Sequence, residues 1–167
     1  SWPLPIEARE ILQESNPCPF TAADIDERLI GTTDFMPHSA IVCLFPYHVP
    51  HEGPTNLSRY TWATDYHLVV TDYLQRLVDE LKTTAPDASF SIHCDTSPLA
   101  DRYMAYLAGL GFYGKNKCFI NPTWGSYIVI GTVLTTLEFE SNTPMTDTCM
   151  SCNRCITSCL GQCLNGN

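Results

Sequence analysis

Residues 39–47, SAIVCLFPY, are apolar almost without a break and follow a turn. A strand with one wet face alternates apolar and polar side chains. A short run that does not alternate reads as a buried strand. Covering such a strand takes apolar surface from the rest of the chain. With 167 residues and 44% hydrophobic content, the chain can supply it within one ordinary globular domain.

The covering elements are legible around that strand. In residues 64–87, TDYHLVVTDYLQRLVDELKTTAPD, the side chains Leu68, Val70, Tyr73, Leu74, Leu77, Val78 and Leu81 recur at steps of three and four. That spacing predicts a helix, with Thr64 as N-cap, Asp65 in the first turn and Pro86 ending it. Residues 89–94, SFSIHC, predict a strand, and 95–111 a second helix capped by Ser97, with Pro98 at its first position. Gly109 or Gly111 closes that helix. The stretches 116–122 and 125–139 are rich in Ile, Val, Thr and Tyr and predict two more strands. Residues 4–15 have helical spacing and predict a peripheral helix, whereas Pro17, Pro19, Gly31 and Pro37 punctuate an irregular 16–37. His48 and His51 fall in a proline-containing loop and are expected to be solvated. The expected architecture is an α+β sandwich over residues 1–140, ahead of a cysteine-rich segment over 141–167.

Charge and cysteine usage limit the setting. There are 9 Lys+Arg against 18 Asp+Glu, a formal net charge of −9. Nucleic-acid binding rests on neutralising phosphates, so tRNA is an allowed but disfavoured partner for this chain acting alone. Lys115, Lys117 and Arg102 are the one close basic group. IVCLFPYHV is too short to span a bilayer, and no secretory leader pattern is present. Nine cysteines, odd in number and unevenly placed, do not suit a disulfide framework. A reducing cytoplasmic setting away from membranes is expected, with Cys18, Cys43, Cys94 and Cys118 as buried, inert thiols.

The other five cysteines lie in residues 149–163, CMSCNRCITSCLGQC. Cys149, Cys152, Cys155 and Cys159 follow C-x2-C-x2-C-x3-C, the bacterial ferredoxin spacing. Its first three thiolates hold one [4Fe–4S] cube and its fourth often serves a neighbouring cluster. Structural zinc normally uses two well-separated pairs, which are absent here. Leu160 stands where proline usually follows the fourth cysteine, so Cys159 and Cys163 compete for the remaining ligand role. Zinc and disulfide pairing stay as alternatives.

GLGFYG (109–114) matches the letters of a dinucleotide fingerprint, but that motif needs a strand before it and a helix after it. Here the expected order is the reverse, and the glycines read as a helix end. Asp95 falls between a strand and a helix start, where it is either a cap or an active-site group. Asp65 and His67, two apart at a helix start, are expected to point in different directions.

In order along the chain, SRYTWATDYH, CDTSPLADRYMAYLAGLGFYGKN, GSYIVIGTVLTT and CMSCNRC resemble the epoxyqueuosine reductase family. The resemblance runs from about residue 39 to 159 and implies a nitroreductase-like domain holding base-off cobalamin, with a ferredoxin-like [4Fe–4S] segment. It implies reduction of epoxyqueuosine to queuosine in tRNA, or of an analogous small substrate, with electrons from an external flavodoxin- or ferredoxin-type donor. By that resemblance Asp95 is the proton donor, and Asp65, His67, Arg102, Lys115 and Asn116 line the corrinoid and substrate pocket. A departing epoxide oxygen needs a proton in the transition state, which a positioned carboxylic acid can supply. Thr64 stands where the family commonly has arginine. Neither a second cluster motif nor a helical-repeat region follows, so a short relative or the front part of a longer one is expected. A ferredoxin-like electron carrier with a non-catalytic upper domain is the alternative.

Overall fold

The computed structural model describes residues 5–6, 34–48, 50, 56–140, 142–146, 149–150 and 152–164. Its centre is a four-stranded antiparallel sheet in the order β1-β2-β6-β3. The strands are β1 (Pro5–Ile6), β2 (Ser39–Pro46), β3 (Phe90–Cys94) and β6 (Ile128–Thr135). The 39–47 run is thus a strand beside the sheet's longest partner, in a register that sets Ser39 opposite Thr135 and Cys43 opposite Gly131. Pro5–Ile6 pairs with β2, which corrects the helix expected over 4–15 at those two residues. The remainder of that helix, the 16–33 stretch, Cys18 and His51 lie outside the described residues.

The run needs no polar face because the sheet is covered twice. Helix α1 (Tyr66–Thr84) buries Val70, Leu74 and Val78 against Ile41, Cys43 and Val133. On the other face, α2 (Asp101–Leu107) sets Met104 and Ala105 against Ala40, Val42, Leu44 and Leu134. A hairpin of β4 (Phe112–Tyr113) and β5 (Phe119–Ile120) adds Phe119 to that second layer. Odd and even positions of β2 therefore serve different helices, which is why apolar residues occupy both parities.

Two glycines let these layers close. Gly131 lies on the α1 side of β6, where a Cβ would come within 2.6 Å of Val70 Cγ1 and 3.0 Å of Leu74 Cδ1. Gly109, at φ +68°, turns the chain out of α2 toward β4, with the Thr143 carbonyl oxygen 2.5 Å from where its Cβ would be. GLGFYG thus runs from the end of a helix into strand β4, with no helix after it, as its termination reading expects.

Both helices begin elsewhere than expected. Asp65, not Thr64, caps α1, accepting a hydrogen bond from the His67 amide at 3.0 Å. Helix α2 starts at Asp101 with Ala100 before it, so Ser97 and Pro98 belong to the preceding loop, where the Ser97 hydroxyl accepts the Leu99 amide. The expected 116–122 strand shortens to Phe119–Ile120, because Asn116 and Lys117 form the hairpin turn and Asn121 caps the next one. No helix among the described residues is long and apolar enough to cross a membrane.

Buried histidine gives the fold an acid sensitivity. His93 on β3 is 8% exposed, and its burial holds its pKa below the ordinary value. The unfolded chain therefore takes up a proton near pH ~6.5 that the folded chain refuses until lower pH. Stability from this group is full above that value and falls as pH drops through the window beneath it. Urea titrations from pH 7 to pH 5 are expected to show that loss, and His93→Phe to flatten it. An unchanged slope in the variant would place the acid sensitivity elsewhere.

Candidate active site

The chain reverses at residues 85–89, so β3 returns along α1 and its last residues approach the start of that helix. Asp95, the residue after β3, meets the first turn of α1 there. The Tyr66 hydroxyl donates to Asp95 Oδ2, and His67 Nε2 lies 3.3 Å from the same oxygen. The other His67 nitrogen, Nδ1, is 2.8 Å from Asp65 Oδ1. Asp65 and His67 therefore do not diverge. The capping residue stands off the helical spiral, and its carboxylate bends back over the first turn. Nor is Asp95 a helix cap: α2 starts six residues later, and the carboxylate is engaged sideways by α1.

The electrostatics follow from these contacts. The Asp95 carboxylate, accepting the phenol proton, pushes the Tyr66 hydroxyl up to about 12 and keeps it a donor. The bonds from His67 hold Asp65 below the usual carboxylate range. Tyr66 and His67 stack at 4.1 Å, fixing both rings. Asp95 itself has φ +62°, a left-handed conformation that costs a non-glycine residue about 1 kcal/mol. Asp95 and His67 side chains are each 52% exposed, so the group is open to solvent on one side.

On the other side lies a cavity of about 570 Å³. Tyr47, Tyr60, Tyr66, Tyr103 and Tyr113 wall it, Asp95, Asp101 and Arg102 supply its charges, and Ile128 to Ile130 of β6 form part of its lining. That volume suits a small-molecule or cofactor site, and the aromatic wall suits a flat ligand. Arg102 Nη1 donates to the Lys117 carbonyl oxygen at 3.3 Å, tying the start of α2 to the β4–β5 turn. Asp101 is half-buried, and desolvation raises its pKa against the opposing hydrogen bonds from Thr132 and Ser97. Apart from Tyr66, which falls in the D-Y-H motif, the sequence marked neither Asp101 nor the tyrosines; Ser97 read as a cap obscured the loop, and scattered tyrosines carry no periodic signal.

Of the expected pocket residues, Arg102 lies in the cavity lining; Asp65 and His67 are outside it, joined to the site through Asp95. Lys115 and Asn116 sit in the β4–β5 turn, also outside the lining. Lys115 Nζ donates to Asn153 Oδ1 at 2.7 Å, linking this turn to the cysteine segment, and Asn116 Oδ1 accepts the Cys118 amide. Of the scattered cysteines, Cys43 is buried, with a pKa raised to about 12. Cys94 is half-buried with a pKa raised to about 11, and Cys118 is exposed, which corrects the expectation for the last of them.

In the cysteine segment a short helix, α3 (Arg154–Thr157), carries Cys155 and follows Asn153 in a left-handed turn. Cys159 and Cys163 approach to 3.4 Å between sulfurs, and the hydrogen bond between them lowers the Cys159 pKa and raises that of Cys163. Among the described residues no three His, Cys, Asp or Glu side chains gather at one point as a metal site. The donor set nevertheless suits an iron–sulfur group in its chemistry, being five soft thiols within fifteen residues.

The fold and the site together define an α+β protein with an acid-bearing, tyrosine-walled cavity and a thiol-rich segment attached beside it. The family model described as "Epoxyqueuosine reductase QueG, DUF1730" matches residues 35–96, which include β2, α1, β3 and Asp95. The epoxyqueuosine reductase of Bacillus anthracis is 41% identical over 101 residues, covering 60% of this chain and 27% of that protein. The solved epoxyqueuosine reductase from Streptococcus thermophilus superposes with a TM-score of 0.69 at 30% identity, over 78% of this chain and 37% of the other. An epoxyqueuosine reductase solved with a tRNA-Tyr epoxyqueuosine-modified stem loop gives a TM-score of 0.63 at 32% identity, over 74% and 35% of the two chains. The chain is thus similar to epoxyqueuosine reductases over most of its length, and it spans about a third of the length of such relatives.

Proposed function

We propose that this chain is the cofactor-holding, acid-bearing part of an oxidoreductase that reduces epoxyqueuosine to queuosine in tRNA. The observation that carries this reading is the Asp95 carboxylate, held by Tyr66 and His67 at the edge of the tyrosine-walled cavity. In this reading Asp95 donates a proton to the epoxide oxygen as its carbon–oxygen bond breaks. Tyr66 and His67 hold one carboxylate oxygen, leaving the other for the substrate, and Asp65 orients the His67 ring. Arg102 keeps a fixed positive charge at the cavity for an anionic group.

Residues 1–140 would form a nitroreductase-like corrinoid domain and 141–167 a ferredoxin-like segment. Cys149, Cys152 and Cys155, with Cys159 or Cys163, would hold a [4Fe–4S] cluster. The cavity, with Arg102 in its lining, would take part of a cobalamin, and Asp65, His67, Lys115 and Asn116, which lie outside that lining, would meet the rest of it. When bound, the two groups supply the electron chemistry, fed by a flavodoxin- or ferredoxin-type donor in the cytoplasm. Lys115 would couple the two regions through Asn153. The net charge of −9 disfavours tRNA binding by this chain alone. The relative solved with a tRNA stem loop supports tRNA as the substrate all the same.

Anaerobic reconstitution with iron, sulfide and hydroxocobalamin tests the assignment. Iron, acid-labile sulfide and corrinoid are all expected to co-elute with the chain in gel filtration. Iron and sulfide without corrinoid would replace the reductase by an electron carrier. Zinc in place of iron would leave a binding module.

A further inference from the structure

Two polar side chains, Asp101 in the cavity lining and His93 on the strand before Asp95, have no part in the chemistry above. His93 sits on the α2-facing side of β3, with Ser91 Oγ 2.8 Å from its Nε2 and a further hydrogen bond to the Thr96 backbone. Asp101 opens α2, where Oδ1 accepts the Thr132 hydroxyl of β6 at 3.1 Å and the carboxylate also accepts the Ser97 hydroxyl. Thr96 and Ser97 are the first two residues after Asp95. The loop is thus held on one side from the sheet and on the other from the helix start.

Such anchoring has a physical purpose. Asp95 stands at φ +62°, and no strand or helix covers residues 95–100. A non-glycine residue in that conformation keeps it only when its surroundings impose it. The far end of the loop is fixed by Leu99, 9% exposed in the α2-side core. Its near end, which aims the Asp95 carboxylate, has His93 and Asp101.

We propose that His93 and Asp101 are positioning residues that latch the 95–100 loop, keeping the Asp95 carboxylate against Tyr66 and His67. The latch matters to function through the reading of Asp95 as the acid, but it can be measured without cofactor or substrate. Its failure is therefore distinguishable from failure of that reading.

The probe is the full chain labelled with 3-fluorotyrosine, with the Tyr66 fluorine resonance assigned by Tyr66→Phe. In Asp101→Ala and His93→Phe, the Tyr66 resonance is expected to shift as its bond to Asp95 is lost. Tyr73, two turns along α1 and packed on Phe45, should hold its position. Asp101→Asn keeps an acceptor for both hydroxyls and should restore the wild-type Tyr66 shift. An unmoved Tyr66 resonance in folded Asp101→Ala and His93→Phe would overturn the latch. Should those variants lose dispersion throughout, Ser97→Ala decides, because it removes the same loop contact without emptying the buried site. A shifted Tyr66 there supports the latch, and an unshifted one ends it.

Discussion

Under the proposed reading, Asp95→Asn is expected to lower turnover of epoxyqueuosine-containing tRNA by about 10²- to 10⁴-fold, the usual worth of a positioned general acid. Asparagine keeps the rest of the site. It tolerates the left-handed backbone at φ +62° and still presents an oxygen to the Tyr66 hydroxyl. What it lacks is a proton that can leave. Cofactor content and KM should therefore stay near those of the unsubstituted protein while kcat falls. Single-turnover assays on the reconstituted chain separate these quantities, and full turnover in the variant would remove Asp95 from the proton-transfer step.

Gly131→Val should cost about 1–3 kcal/mol of folding stability, measured by urea denaturation. The Cβ alone would stand 2.6 Å from Val70 Cγ1, 3.0 Å from Leu74 Cδ1 and 3.1 Å from the Phe45 ring. Val70 has little rotamer freedom within a helix, so α1 must move off the sheet. Since Asp65, Tyr66 and His67 ride on the start of α1, the same displacement loosens their hold on Asp95. Shortening the clashing partner with Val70→Ala should return part of the lost stability in the double variant. Strictly additive losses would mean that the two positions do not meet.

Much of the scaffold was readable from local chemistry. The apolar run at 39–47 demanded burial on both faces, and the three-and-four spacing of 68–81 gave α1 with an end near Pro86. Those signals come from neighbours along the chain. The site was readable only as separate pieces. Asp65 and His67 looked divergent because a two-residue step separates side chains on a helix, whereas the capping residue lies outside it. Their meeting with Asp95 depends on how β3 returns beside α1, a long-range fact with no local signature. Likewise the 95–100 loop was hidden by Ser97 and Pro98, a plausible helix start that Asp101 overrides by anchoring the helix to Thr132. The five clustered cysteines showed a donor chemistry in their spacing, but spacing alone does not tell which thiols meet, and Cys159 with Cys163 is the pair that does.

The backbone at residue 95 prefers a residue other than the one it has. Glycine would occupy φ +62° without strain, so aspartate is kept there against the local conformational preference. For a lineage, this makes position 95 a point where inheritance of the fold and inheritance of the chemistry part company. A copy released from its reaction could drift to glycine with little harm to folding.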